Sequence, residues 1–485
     1  MPVLIRATQT DYPCIEQIAS RAKLLLRSDT LNEMIADTAT ALTNRLEGFA
    51  ANSPDYWSFR GNARRDHGHG LMQYPAMMVP QMVRALLQEI CSIEPAVHRV
   101  GDPFVGSGTV LTEAMLRGQD FVGRDINPLA ILMCRVKAGP YFPKVLSKRS
   151  DEVLTRIAKD DSVSLAAEFE TLDKWFAQKS QVNLSQIRRA VSAEPSAWAR
   201  RFFWVAVADT VRLCSNSRTS TFKLHKRHLN DLAKREVDVK ATFERVLRRN
   251  LVRLETLGKA LQNGGHIKRG RYVGNVSLEL GDARTPMLNT GTALCDAIIT
   301  SPPYGDNRTT VPYGQYSYLP LQWIDLADIH SEIDEACLCT THEIDRLSLG
   351  GSRRVVSGTV EDLKARSPHL SSTLDELSGE PPDRAQRIVA FVRDLDRCIP
   401  HALAMLRAGG IMVWVLGNRR VGGRPVPLDK ILGDFLRERG AKRIIDVRRR
   451  IPSKRMAVRN SVAETMASET ILVYRKGGTY DARTG

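Results

Sequence analysis

Val97-His98-Arg99-Val100-Gly101-Asp102-Pro103-Phe104-Val105-Gly106-Ser107-Gly108-Thr109 opens on a short apolar stretch and runs into a turn with two glycines. The segment Val110-Leu111-Thr112-Glu113-Ala114-Met115-Leu116 follows with helical composition. A strand, a glycine turn and a helix in that order form the first unit of a doubly wound α/β sheet. Gly106 and Gly108 let the backbone approach a ligand closely, and the helix N-terminus beside them favours polar or anionic groups.

A second strand is predicted over Phe121-Val122-Gly123-Arg124-Asp125-Ile126-Asn127. It places Asp125 roughly 20 residues past the turn, the spacing at which an acid reaches ribose hydroxyls. A nicotinamide dinucleotide competes for this pattern. It is disfavoured because Leu111 replaces the third glycine of G-x-G-x-x-G, which keeps the helix from coming close to the strand and a pyrophosphate. S-adenosylmethionine carries a ribose and an adenine without a pyrophosphate, and a shorter glycine turn suits it.

Further along, Ser301-Pro302-Pro303-Tyr304 ends the apolar run Ala297-Ile298-Ile299-Thr300. The prolines fix φ and remove backbone N–H donors, so the local carbonyls stay free to accept from an amine. Tyr304 adds a ring that can stack on a planar base. A base with an exocyclic amine fits this set. In isolation the same four letters also describe a proline-rich turn after a core strand, and the neighbouring motifs decide between the two.

Taken together, these stretches resemble the DNA amino-methyltransferases, which use S-adenosylmethionine to methylate cytosine N4 or adenine N6. Asp102 to Thr109 is similar to the family's cofactor motif and Ser301 to Tyr304 to its catalytic motif. Tyr74-Pro75-Ala76-Met77-Met78-Val79-Pro80 resembles the segment that closes over the methionine end of the ligand. Leu278-Glu279-Leu280-Gly281-Asp282 resembles the strand whose acid meets the adenine amine, and the stretches 409–415 and 469–474 resemble the last strands of the sheet. The resemblance runs from about Leu71 to Lys476, interrupted by two unmatched stretches.

This resemblance implies an α/β fold, a doubly wound, seven-stranded, mostly parallel Rossmann-like methyltransferase sheet with a helical insertion. It implies a catalytic group of Ser301, Pro302, Pro303 and Tyr304, and S-adenosylmethionine held by Tyr74, Pro75, Asp102, Phe104, Gly106, Gly108, Thr109, Asp125 and Asp282. The lesser alternative for each acid is a helix cap or turn residue. Serine at the first catalytic position is typical of the cytosine-N4 members, so cytosine is favoured and adenine N6 is the alternative. The motif order resembles members whose target-recognition region lies between the motifs. The wording of the cofactor motif looks more like members with the opposite order, and the subgroup stays open.

At 485 residues and 43% hydrophobic composition, the chain has enough material for one large α/β domain with smaller modules. No apolar run approaches the roughly 18 residues that span a bilayer, and the first residues lack a signal-peptide pattern, so a cytoplasmic protein is expected. Eight scattered cysteines suit reduced thiols. Cys337, Cys339 and His342 fall short of a structural zinc set, and no metal is predicted. The formal net charge of +16 favours a polyanionic partner, since lysine and arginine release counterions when they neutralise phosphates. Basic stretches at 60–65, 218–228, 245–253 and 443–459 fit several loops converging on double-stranded DNA.

The domain reading is a helical N-terminal region over 1–70 and a first methyltransferase part over 71–139. A mostly helical insertion, the candidate target-recognition region, spans 140–270. The second methyltransferase part spans 271–476, with a tail over 477–485. Within the insertion, 198–211 is predicted to be a buried helix, its aromatics packed in the core. The polar stretch 215–227 is predicted as a loop that grips or reads DNA: Asn216 and Arg218 suit base edges, while Lys223, Lys226 and Arg227 suit phosphates. Arg450, Lys454 and Arg455 form a second candidate grip, and Tyr313 and Tyr316 are candidates for lining a base pocket. The stretch 348–383 reads as irregular, and the helix after it as kinked at Pro400. The alternative functions are an RNA base methyltransferase and a catalytically silent nucleic-acid-binding subunit. A cognate restriction endonuclease or defence complex is a conceivable partner.

Overall fold

The computed structural model describes residues 28–53, 55–61, 66–288, 294–307, 310–354, 358–451 and 467–477. Seven strands make its main sheet: β1 (Arg99–Asp102), β2 (Asp120–Asp125), β3 (Val276–Leu280), β4 (Cys295–Thr300), β5 (Leu406–Leu416), β6 (Lys442–Arg450) and β7 (Ser468–Arg475). They lie in the spatial order β3-β2-β1-β4-β5-β7-β6, and β7 alone among them runs antiparallel to both neighbours. The order reverses between β1 and β4. At such a switch point the loops leaving the two strands diverge and leave a crevice at the carboxyl edge.

Both faces of the sheet are covered, which is why β4, β5 and β7 carry apolar runs. Successive residues alternate between two cores: Ala297, Ile299, Ile411, Val413, Ile471 and Val473 enter one, and Ile298, Met412, Trp414, Leu472 and Tyr474 the other. The first core is shared with α1 (Ser28–Asn52), α2 (Pro80–Ile93), α3 (Thr109–Met115) and α4 (Pro128–Lys137). The stretch 140–270 adds α5 (Pro143–Lys159), α6 (Gln178–Ser192), α7 (Ala197–Cys214) and α8 (Val239–Asn263) to that same core. In α7, Phe202, Phe203 and Trp204 are all at most 1% exposed, so these aromatics are packing groups. The helix after the catalytic motif is α9 (Tyr313–Gln322).

On the opposite face lie α10 (Pro382–Met405) and α11 (Leu428–Glu438). Within the stretch 348–383, the described residues 358–383 hold more helix than its serine, glycine and proline content predicts. It holds helices Thr359–Arg366 and Pro368–Asp375, which bury Leu363 and Leu370, and Ser367 caps the second through Leu370 N–H. Helix α10 continues past Pro400 to Met405. Among the described residues, no helix is long and apolar enough to cross a membrane.

Candidate active site

The turn after β1 carries Gly106 and Gly108 at φ 49° and 75°. A Cβ on Gly108 would stand 2.8 Å from Cys134 Sγ of α4, so the turn needs glycine there for space as well as conformation. Two side chains hold the turn in place. Asp125, ending β2, accepts from Gly106 N–H at 2.8 Å and Asn127 N–H at 2.9 Å, and burial pushes its carboxyl up to about 6. Lys137, buried on α4, donates to the Ser107 carbonyl at 2.7 Å, and burial lowers it to about 8.

Beside this turn lies an open cleft, about 830 Å³ with the solvent at its mouth included. It brings together Tyr74, Pro75, Phe104, Gly106, Thr109, Asp125 and Asp282 from the expected cofactor set, and Ser301 and Pro303 from the catalytic one. Tyr313 also stands on its wall.

Asp102, Gly108, Pro302 and Tyr304 are not on that wall. Asp102 is wholly buried behind the turn, where it accepts from Thr300 Oγ1 at 2.7 Å and Phe104 N–H at 3.0 Å. Burial pushes its carboxyl up to about 7. Asp282 faces the cleft as one arm of an ion pair, with Arg284 Nε within 3.0 Å of both oxygens. Arg284 reaches on to the buried Asp394 at 3.2 Å.

Tyr304 packs its ring against the second core, and its hydroxyl donates to Glu469 Oε1 of β7 at 3.1 Å. Ser301 Oγ lies 3.1 Å from the same hydroxyl. The second Glu469 oxygen meets Arg449 Nη1 at 2.5 Å, and Arg449 Nε donates to the Trp57 carbonyl at 3.0 Å. On the other side of the cleft, the Tyr74 ring lies 5.9 Å from Tyr313 and 5.8 Å from Tyr316. Asn127 Nδ2 donates to Tyr74 Oη at 3.0 Å and to Ser317 Oγ of α9 at 2.7 Å. Asp345 holds the N-terminus of α9 by accepting from Gly314 N–H at 2.7 Å, and it takes Asn307 Nδ2 at 2.9 Å.

The polar stretch 215–228 doubles back on itself through Arg218 N–H to the His225 carbonyl and Arg227 N–H to the Asn216 carbonyl. Phe222 anchors it on Tyr316 at 5.7 Å. Arg218 and Lys226 are exposed, whereas Lys223 and Arg227 are half-buried. Asn216 Nδ2 donates to the Lys174 carbonyl at 3.2 Å, which engages the amide expected to suit an adenine edge. Arg450 is exposed at the end of β6, and Lys454 and Arg455 lie outside the described residues.

Thr300, Asn127, Lys137, Asp345, Arg449 and Glu469 were not singled out by sequence reasoning. Asn127 left the clearest trace, since an Asn directly before a proline is a helix-start pattern and its Oδ1 does cap α4.

No family model matches the chain. It is 28% identical over 461 residues to Type II methyltransferase M.MvaI of Kocuria varians, covering 91% of this chain and 98% of that protein. A shorter stretch of 85 residues is 34% identical to Type II methyltransferase M.MjaII of Methanocaldococcus jannaschii, covering 18% of this chain and 16% of that protein. Among solved structures, rRNA methyltransferase aviRa from Streptomyces viridochromogenes matches at 10% identity over 83% of this chain and 86% of that one. Its TM-score of 0.26 is too low to bear on fold or function. The strand order and the single reversed strand define a Rossmann-like methyltransferase fold. The similarity to M.MvaI extends along nearly all of both chains and, with the fold, implies S-adenosylmethionine as the group to fit. The cleft has the donor chemistry for that group: a glycine turn, carboxylates ending β2 and following β3, and the apolar wall of Phe104.

Proposed function

We propose that the chain is a site-specific DNA methyltransferase acting on the exocyclic amine of an extruded base, cytosine N4 in preference to adenine N6. The observation that carries this reading is one cleft with Gly106 and Asp125 on its wall together with Ser301 and Pro303.

Asp125 has lone pairs left after its two backbone bonds and would accept from the ribose hydroxyls. Asp282 would take the adenine amine alongside Arg284, Phe104 would cover the adenine face, and Tyr74 and Pro75 would close over the methionine end. When bound, S-adenosylmethionine supplies an electrophilic methyl group on a sulfonium.

An amine inside a duplex is out of reach, so the base must leave the stack, at a cost of a few kcal/mol. Phosphate contacts would offset that cost, while the Tyr304 ring expected to stack is packed against the second core and off the cleft wall. Ser301 Oγ, on the cleft wall, would accept an amine hydrogen, which favours a pyramidal nitrogen with an available lone pair. Orientation and electrostatic placement then supply most of the rate. The DNA is gripped by Arg218, Lys223, Lys226, Arg227, Arg450, Lys454 and Arg455. The Type II label of both relatives points to a role in restriction-modification, in the cytoplasm.

Incubation of unmethylated DNA with tritiated S-adenosylmethionine, followed by mass spectrometry of the nucleosides, tests this. N4-methylcytosine is expected. N6-methyladenine would move the base preference. Label on RNA alone, or DNA binding without any transfer, would overturn the reading.

A further inference from the structure

The hydrogen-bond chain from Arg449 to Ser301 has a direction that the atoms themselves dictate. Arg449 has only donors to give, and with its side chain 3% exposed it points Nη1 at Glu469 Oε2, on a side chain 15% exposed. In that ion pair the remaining Glu469 oxygen can only accept. Tyr304 therefore directs its single proton to Glu469 Oε1. Burial and the neighbouring Glu469 push the Tyr304 hydroxyl well above its ordinary range, so that proton stays in place at neutral pH.

A phenol that has committed its proton can only accept at its other contact. The 3.1 Å bond between Tyr304 and Ser301 must then run from Ser301 Oγ–H to Tyr304 Oη. Ser301 is left with lone pairs alone to show the cleft it lines. Pro302 and Pro303 have no N–H, so neither adds a backbone donor beside it.

We infer that Glu469, fixed by Arg449, is a positioning residue that makes Ser301 an obligate acceptor, so that the elbow selects bases bearing an amine over bases bearing a carbonyl at the same ring position. The inference rests on the amino-methyltransferase reading above. A carbonyl oxygen placed against Ser301 would face its lone pairs, and a buried acceptor without a donor is costly.

The isosteric Glu469→Gln tests it. A glutamine turns its amide oxygen to Arg449 and its NH2 to Tyr304, which reverses the chain and frees the Ser301 proton for the cleft. Affinities are measured with S-adenosylhomocysteine present, for duplexes holding the methylated base type or its deaminated counterpart at the target: cytosine against uracil, or adenine against hypoxanthine. The wild type is expected to prefer the amine, and Glu469→Gln to lower that ratio by roughly tenfold or more. Tyr304→Phe keeps the ring, cuts the chain and should lower the ratio as well, with no further change when Glu469→Gln is added.

An unchanged ratio in Glu469→Gln, or in Tyr304→Phe should the first variant not fold, overturns the inference. So does an effect of Glu469→Gln that persists in full without the phenol. A wild type that methylates no base amine overturns the functional reading and this inference together, whereas methylation with an unaltered ratio overturns the inference alone.

Discussion

Thr300 donates its hydroxyl to Asp102 Oδ1 at 2.7 Å, and both residues are wholly buried. Asp102 ends β1 and Thr300 ends β4, so this bond adds to the ladder between the two strands in setting the origins of the glycine turn and the proline elbow relative to each other. The second oxygen, Oδ2, is buried without a hydrogen-bond partner among the described residues. Burial without a cation explains why the carboxyl is pushed up to about 7.

Asp102→Asn should therefore fold and flatten the dependence of stability on pH. A carboxyl raised from 3.8 to about 7 binds its proton in the folded state across that window and loses it in the unfolded chain. Stability from this group is complete below about pH 4 and falls as pH rises towards 7. Urea unfolding of both proteins between pH 4 and 7 checks this. Their difference isolates Asp102 from Asp125, which titrates in the same direction up to about 6. A slope that is identical in the variant would refute the assignment.

The buried lysine has the opposite sign. Lys137 is lowered from 10.5 to about 8, so the folded protein releases a proton that the unfolded chain keeps, and this contribution grows as pH rises from 8 towards 10.5. Lys137→Met should abolish that alkaline gain. It should also loosen the turn by removing the bond to the Ser107 carbonyl, seen as weaker S-adenosylmethionine binding by calorimetry.

Removal of the elbow's acceptor should act on turnover. Ser301→Ala is expected to lower kcat by about 10²-fold or more, in line with the loss of one group that orients a reacting atom. Its affinity for S-adenosylhomocysteine should stay within about twofold of wild type. A variant that lost cofactor binding instead would place Ser301 with the cofactor.

Gly108→Ala should be costly out of proportion to one methyl group. The residue sits at φ 75°, and the new Cβ would press on Cys134 Sγ at 2.8 Å. A loss of about 1–3 kcal/mol in stability is expected, with impaired cofactor binding. Cys134→Ala in the same chain should return part of the stability and none of the backbone strain, and paired denaturation curves separate the two.

Charge removal on the exposed loop should change how DNA binding responds to salt. With Arg218 and Lys226 both replaced by alanine, the slope of log affinity against log salt should become shallower by about 2. An unchanged slope would mean that the loop does not meet phosphates.

Much of the sheet was legible because β4, β5 and β7 carry apolar runs and the glycine turn and the proline elbow each follow a strand directly. The stretch 359–375 was not, since its composition is that of a loop and only the burial of Leu363 and Leu370 makes helices of it. Local spacing brought Asp125 to the glycine turn, but it could not foresee that Arg284 would occupy Asp282 or that Asn216 would be engaged by a carbonyl 42 residues away. The bond from Tyr304 to Glu469 joins residues 165 apart, and the last strand carried no sign of it beyond its own apolar alternation. Contacts of this kind depend on strand order in space, which only the folded sheet supplies.

Asn127 links Tyr74, in the segment ahead of α2, to Ser317 of α9 through a single amide group. A substitution at position 127 should therefore release that segment and the helix together, so this side of the cleft yields as one piece.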